Sequence, residues 1–187
     1  MPRVKLFDEQ RALGQALQLF WENGFEATSL SDLTNELGIG KGSFYDTFGS
    51  KRMLFDKCLS MYQSISMETL DSILSEKEDP VDAIGNLLDK HTQMMLMDSG
   101  AKGCFIANST SELADDGQVR EFLIKHNQLM RDKIKALFID SPYAENADVI
   151  ADLVLTHITG ISVMSKFVRN PDRFQSSNEI FMKIFAV

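Results

Sequence analysis

The residues best suited to chemistry stand in one short run, Lys41-Gly-Ser-Phe-Tyr-Asp-Thr47. Lys41 carries an ammonium that can donate to a guanine edge or a phosphate. Ser43 brings a small hydroxyl to a base edge, and Tyr45 a phenol to a phosphate oxygen. Gly42 has no side chain and lets the backbone come close to whatever is bound. Thr47 extends the polar set, and Lys51 stands just beyond it to hold a strand. Ahead of the run, Thr28, Ser29 and Ser31 front the sequence Ser29-Leu-Ser-Asp32, an S-x-x-D capping box at a helix start, where free N–H groups and the helix dipole favour an anion. Phe44 and Phe48 are expected to face a core.

These groups need helices to aim them. Apolar residues recur at three and four positions almost throughout, and alternating runs are nearly absent, which predicts an all-α chain. A first helix over about 8–23 presents Leu13, Ala16, Leu17 and Phe20 and stops at Asn23-Gly24, after which Phe25 plugs the same small core. A short helix runs from the capping box to about Leu37, Gly38-Ile39-Gly40 breaks it, and another covers about 41–47. Two short helices joined by a glycine-containing turn form a helix-turn-helix, whose second member enters the major groove of DNA. A long helix from Lys51 to about Leu74 turns Leu54, Phe55, Cys58, Tyr62, Ile65, Leu70 and Ile73 inward. Five more helices are read at about 81–97, 104–114, 117–139, 145–169 and 173–186. Their separators are Gly100/Gly103, Asp115-Asp116-Gly117, Pro142 and Asn170-Pro171, giving about nine helices. The expected division is a DNA-binding domain at 1–50 and a helical ligand-binding and dimerisation domain at 51–187.

The run Phe25-x-x-Thr28-Ser29-Leu30-x-Asp32-Leu33-x(4)-Gly38-Ile39-x-Lys41-Gly42-Ser43-Phe44-Tyr45-x-x-Phe48-x-Ser50-Lys51 closely resembles the TetR/AcrR family of bacterial repressors. The resemblance covers about residues 8–58, and beyond it only the number and order of helices match. It implies a homodimer with two helix-turn-helix heads, a small-molecule effector site in each body, pairing through the last two helices, and a double-stranded operator as partner. Three positions depart from the family pattern. Gly40 replaces a Ser cap, Ser31 a basic residue, and Asp46 a His or aromatic; Asp46 repels phosphate and implies a grip through fewer contacts.

The net charge of −8 argues at first against nucleic acid. Its distribution matters more. Residues 1–57 are near neutral at −1, with Arg3 and Lys5 among their basic groups, and −7 falls on 58–187. A near-neutral head can approach DNA while an acidic body limits non-specific adhesion. No leader pattern or long apolar run is read, so the expected address is the cytoplasm, with no membrane partner. Cys58 and Cys104 are too few for a disulfide framework and are not spaced as a metal pair. Neither a metal nor a cofactor is expected. Gly38-x-Gly40-Lys41-Gly42-Ser43 has the wrong order for a phosphate loop and follows no strand.

The last two helices are rich in apolar residues, from Ile150 through Leu153, Phe167, Phe174, Ile180 and Phe185 to Val187, and a surface this apolar needs a partner. The body is rich in methionine, which adapts to varied ligands. With the three histidines on separate predicted helices, this suggests a pocket formed by His91, Met95, Cys104, Phe105, Asn108, His126, Met130, His157 and Met164. Cys104 follows a glycine near a helix start, a place that lowers a thiol's pKa. It offers an alternative signal: an electrophile, oxidant or metal sensed by Cys104 with a nearby His. An enzyme using Cys104 as nucleophile is disfavoured because no orienting group or oxyanion loop can be read.

Overall fold

The computed structural model describes residues 8–97 and 102–185. Among the described residues there are nine α-helices and no strand: α1 Glu9–Asn23, α2 Leu30–Leu37, α3 Lys41–Phe48, α4 Lys51–Leu74, α5 Pro80–Met97, α6 Phe105–Leu113, α7 Gly117–Ala136, α8 Ala147–Met164 and α9 Pro171–Met182. Several boundaries have a local cause. Asp8 accepts from the amides of Gln10 and Arg11 to open α1, Ser50 from Met53 to open α4, and Asp116 from Gln118 and Val119 to open α7. In α2 the capping box is complete, with Ser29 and Asp32 each bonding the other's amide. Gly38 ends α2 in the left-handed region at φ 64°, a conformation glycine adopts without a Cβ penalty. Pro171 opens α9, where its missing N–H costs nothing. Gly100, Arg3, Lys5 and Val187 lie outside the described residues.

The helices pack around two apolar cores that share α4 and α7. The first gathers Ala16, Phe20, Leu33, Phe44, Phe48, Phe55 and Leu59 with Phe105, Ile106, Leu113 and Val119. The second gathers Leu70, Ile73, Ile84, Leu88, Ile134 and Phe138 with Ala151, Val154, Ile158 and Phe185. The expected boundary at residue 50 therefore cuts through the first core, because side chains of α6, the start of α7 and the first turns of α4 join those of α1–α3 in it, while α6 also packs on α7 and α8. Phe25 lies in the first core as expected, its ring 4.9 Å from that of Phe55. Ile65, expected inward, is exposed.

Residues 144–164 are long and apolar enough to cross a membrane by composition alone. That apolarity serves two faces of α8. Ile150, Val154, Ile158 and Ile161 are buried in the body, while Val149, Leu153 and Val163 are exposed, with Phe167 just past the helix 72% exposed. On α9, Phe174 is buried and Ile180 is exposed, and beyond the helix Ile184 is exposed as well.

Candidate nucleic-acid interface

Phe44 and Phe48, both buried, fix the rotation of α3 by sealing one side of it against the first core. That rotation places the rest of the helix. Lys41, Gly42, Ser43, Tyr45 and Asp46 are exposed and Thr47 is half-buried. The Tyr45 ring meets Phe44 edge-on at 5.7 Å, which holds the phenol upright on the surface although the residue is 52% exposed. Gly40 caps α3 without any side-chain bond, so no capping group covers its first amides. The Lys51 ammonium lies 4.3 Å over the Phe25 ring, a cation–π contact that orients it at the start of α4. Lys57 makes a longer contact with Phe48, 5.6 Å from the ring centre; it was not among the expected site residues.

The hydroxyls ahead of α2 divide three ways. Thr28 is fully buried and donates to the Gly24 carbonyl at 2.6 Å, so it is not on the exposed face where the sequence places it. A β-branched residue next to Phe25 fills the core and satisfies its hydroxyl locally. Ser29 is exposed, but its oxygen already accepts from Asp32, whose carboxyl is held below its usual range by its bonds to the Ser29 hydroxyl and amide. Ser31 is exposed, and among the described residues its side chain has no hydrogen-bond partner.

The head is fastened to α6, α7 and the turn before α6 by polar ties absent from the expected set. Glu112, at the end of α6, accepts from the amides of Phe25 and Glu26 at 2.9 and 2.7 Å. Gly24 is required there: its φ is 84°, and a Cβ would stand 2.9 Å from the Glu112 carboxylate. Trp21 donates to the Gly103 carbonyl at 3.1 Å, and Lys102 pairs with Glu22 at 2.7 Å. Arg52 forms a two-pronged pair with Asp116, the cap of α7; the guanidinium holds the Asp116 carboxyl far below the usual carboxylate range.

The expected effector residues do not converge on one cavity. His91 Nε2 stands 2.8 Å from Ser162 Oγ and 3.1 Å from the Ile158 carbonyl, between α5 and α8, and burial pushes its pKa down to about 4. His157 Nε2 donates to Asn178 Oδ1 at 3.0 Å, between α8 and α9, and Asn178 passes the chain on to Thr92 at 3.1 Å. His126 lies 3.5 Å from Gln63, between α4 and α7, its pKa lowered by burial. Each imidazole thus has a partner within the protein. Met95, Met130 and Met164 are half-buried, Met130 against the second core. Phe105 and Asn108 do share an opening, a groove of about 260 Å³ at the junction of head and body with Trp21, Glu112 and Lys166 on its walls. A larger groove of about 480 Å³ lies between α4 and α5, lined by Glu68, Ser72, Lys90 and Met94; only Met94, one of the methionines of the body, was in view from the sequence. Cys104, half-buried, stands at the cap of α6 without a side-chain capping bond, and its sulfur accepts from the Tyr62 hydroxyl at 3.5 Å. Burial pushes the Cys58 thiol well above its usual range. Among the described residues no group of three His, Cys, Asp or Glu side chains could hold a metal ion.

A short capped α2, a glycine turn and a shallow α3 with its polar side outward define a helix-turn-helix regulator of transcription. Residues 12–58 match the model of the bacterial regulatory proteins of the tetR family. The HTH-type transcriptional regulator YezE of Bacillus subtilis is 34% identical over 137 residues, covering 71% of this chain and 69% of the relative. The HTH-type transcriptional repressor BdcR of Escherichia coli is 25% identical over 164 residues, covering 88% and 82%. The fold is shared with a cysteine mutant of the TetR family transcriptional regulator CifR, solved with a 26-bp double-strand operator DNA, at a TM-score of 0.85 and 22% identity over 97% of this chain and 98% of that one. It is shared also with a TetR regulator from Chloroflexus aurantiacus, at a TM-score of 0.82 and 22% identity over 95% and 93%. The chain belongs to the TetR family of transcriptional regulators.

Proposed function

We propose that the protein is a homodimeric repressor in the cytoplasm that binds a palindromic operator and leaves it when an effector occupies the body. The observation that carries this reading is α3 itself, whose buried Phe44 and Phe48 leave Lys41, Gly42, Ser43, Tyr45 and Asp46 outward, with Ser31 exposed on α2 and the Lys51 ammonium held over the Phe25 ring at the start of α4. In this reading Lys51 and Tyr45 hold phosphates while Gly42 and Ser43 approach the bases. CifR, a relative in fold, was solved with a 26-bp double-strand operator DNA, and BdcR bears the name of a repressor.

Dimerisation draws support from the exposed apolar stripe of Leu153, Val163, Phe167, Ile180 and Ile184, which the protein's own core leaves uncovered. A two-fold pair of heads reads an inverted repeat. For the effector, the groove bearing Phe105 and Asn108 adjoins the ties that bind α6 to the head, so an occupant there would shift α6 and its Glu112 against Trp21, Phe25 and Glu26 and change the spacing of the heads. A second signal is favoured by the place of Cys104 at the cap of the same helix. Modification of its sulfur adds volume beside Phe105, and operator release by an electrophile should then be lost in Cys104→Ser.

Sedimentation together with selection from a randomised duplex pool tests the main reading. The expected result is a dimer that enriches inverted repeats, with Phe167→Glu or Ile180→Glu giving a monomer that does not. A monomeric wild type, or a pool without enrichment, would overturn it.

A further inference from the structure

The rotation of α3 has a centre as well as flanks, and the centre is acidic. With about 100° between successive residues, Asp46 stands roughly 160–200° from both Phe44 and Phe48, at the crest of the exposed side. Tyr45 lies on one flank, Ser43 and Thr47 on the other, and Lys41, at the first turn, stands near the direction of Phe48. Gly42 is one turn earlier on the same crest, and helical side chains lean toward the N-terminus, so the Asp46 carboxylate projects over a residue that has no side chain to screen it. A Cβ at Gly42 would meet nothing within 4 Å, so the crest is open. Asp46 is exposed and has no hydrogen bond or ion pair among the described residues.

Building on the reading that α3 enters the major groove, we infer that Asp46 reads a base beside Gly42 and Ser43 and selects cytosine at one position of each half-site. On a flank of the helix a carboxylate would face phosphates and be repelled. At the crest it faces the floor of the groove, where the available hydrogens belong to exocyclic amines. Cytosine presents only its N4 amine there, whereas adenine adds the N7 acceptor, guanine presents two acceptors and thymine an acceptor and a methyl group. A pure acceptor such as a carboxylate therefore matches cytosine and meets an opposing acceptor on every other base. The same charge weakens the hold on any DNA, so Asp46 trades overall affinity for choice of sequence.

The test compares the base preferences of the wild type, Asp46→Asn and Asp46→Ala, each used to select from a randomised duplex pool and sequenced. Position 46 is exposed, so the fold is expected to survive both changes. The wild type should favour cytosine at one position per half-site by at least about fivefold. Asp46→Asn, which both donates and accepts, should move that preference toward adenine; Asp46→Ala should flatten it, and both should bind unrelated DNA more tightly than the wild type. Identical preferences in all three proteins would overturn the assignment while leaving the DNA-binding reading intact. Failure of the wild type to enrich any sequence would overturn both.

Discussion

The two cores of this protein are built from different materials and hold their neighbours differently. The first is aromatic: Phe20, Phe25, Phe44, Phe48, Phe55 and Phe105 meet ring to ring around α1–α4 and α6, with polar ties confined to its rim at Glu112, Trp21 and Arg52. The second is largely aliphatic, and beside it run the buried polar bridges from His91 to Ser162 and from His157 through Asn178 to Thr92. Phe44 and Phe48, buried ring against ring in this core, keep α3 at a fixed rotation, which a groove-reading helix needs. Buried bridges between α5, α8 and α9 instead specify how the body helices meet. α6 belongs to both regions, its Phe105, Ile106 and Leu113 lying in the first core while the helix packs on α7 and α8.

That contrast can be broken from either side. Phe55→Ala removes a ring that touches Phe20, Phe25 and Phe105 and should destabilise the chain by about 3–5 kcal/mol, read as a lowered denaturation midpoint. An equal change at an exposed site such as Ile65 should lie within about 0.5 kcal/mol. The body should answer to pH. His91 must be neutral to stay buried, and its pKa falls from 6.5 to about 4 on folding, so the unfolded chain binds the extra proton between those values. Stability is therefore full above pH 6.5 and declines as pH falls toward 4, by up to about 3 kcal/mol. His91→Gln should flatten that slope, and chemical denaturation at pH 7 and pH 5 checks it. The smallest effect belongs to the rim. Glu112→Gln turns one charged acceptor into an amide and should cost about 1 kcal/mol or less, seen as faster hydrogen exchange at the Phe25 and Glu26 amides with the second core unaffected.

The head was easier to read in the sequence than the body, for a physical reason. Its elements are specified locally: the Ser29–Asp32 box, the left-handed Gly38 and the buried Phe44 and Phe48 each act within a few residues, so the outward set of α3 can be derived from spacing alone. Thr28 escaped because burial depends on where Phe25 inserts, which no local pattern records. The ties of Glu112, Arg52 and Trp21 escaped because they join residues some 64 to 87 apart in the chain. In the body, periodicity marked α8 and α9 as apolar but could not divide Ile158, which faces the core, from Phe167, which faces outward. The three histidines were read as one pocket from their shared apolar setting. Each instead bridges a different pair of helices, because a buried imidazole is satisfied by whichever helix happens to cross it.

The central claim is that the outward side of α3 and the start of α4 grip a polyanion, and the salt dependence of binding measures that grip most directly. A duplex recovered from the selection pool should be titrated at several salt concentrations with wild type, Lys51→Ala and Tyr45→Ala. The account predicts that log affinity falls linearly and steeply with log salt, that Lys51→Ala makes the slope shallower by about one, and that Tyr45→Ala weakens binding with little change in slope. Affinity that is flat in salt, or a slope and strength that neither substitution alters, would contradict it.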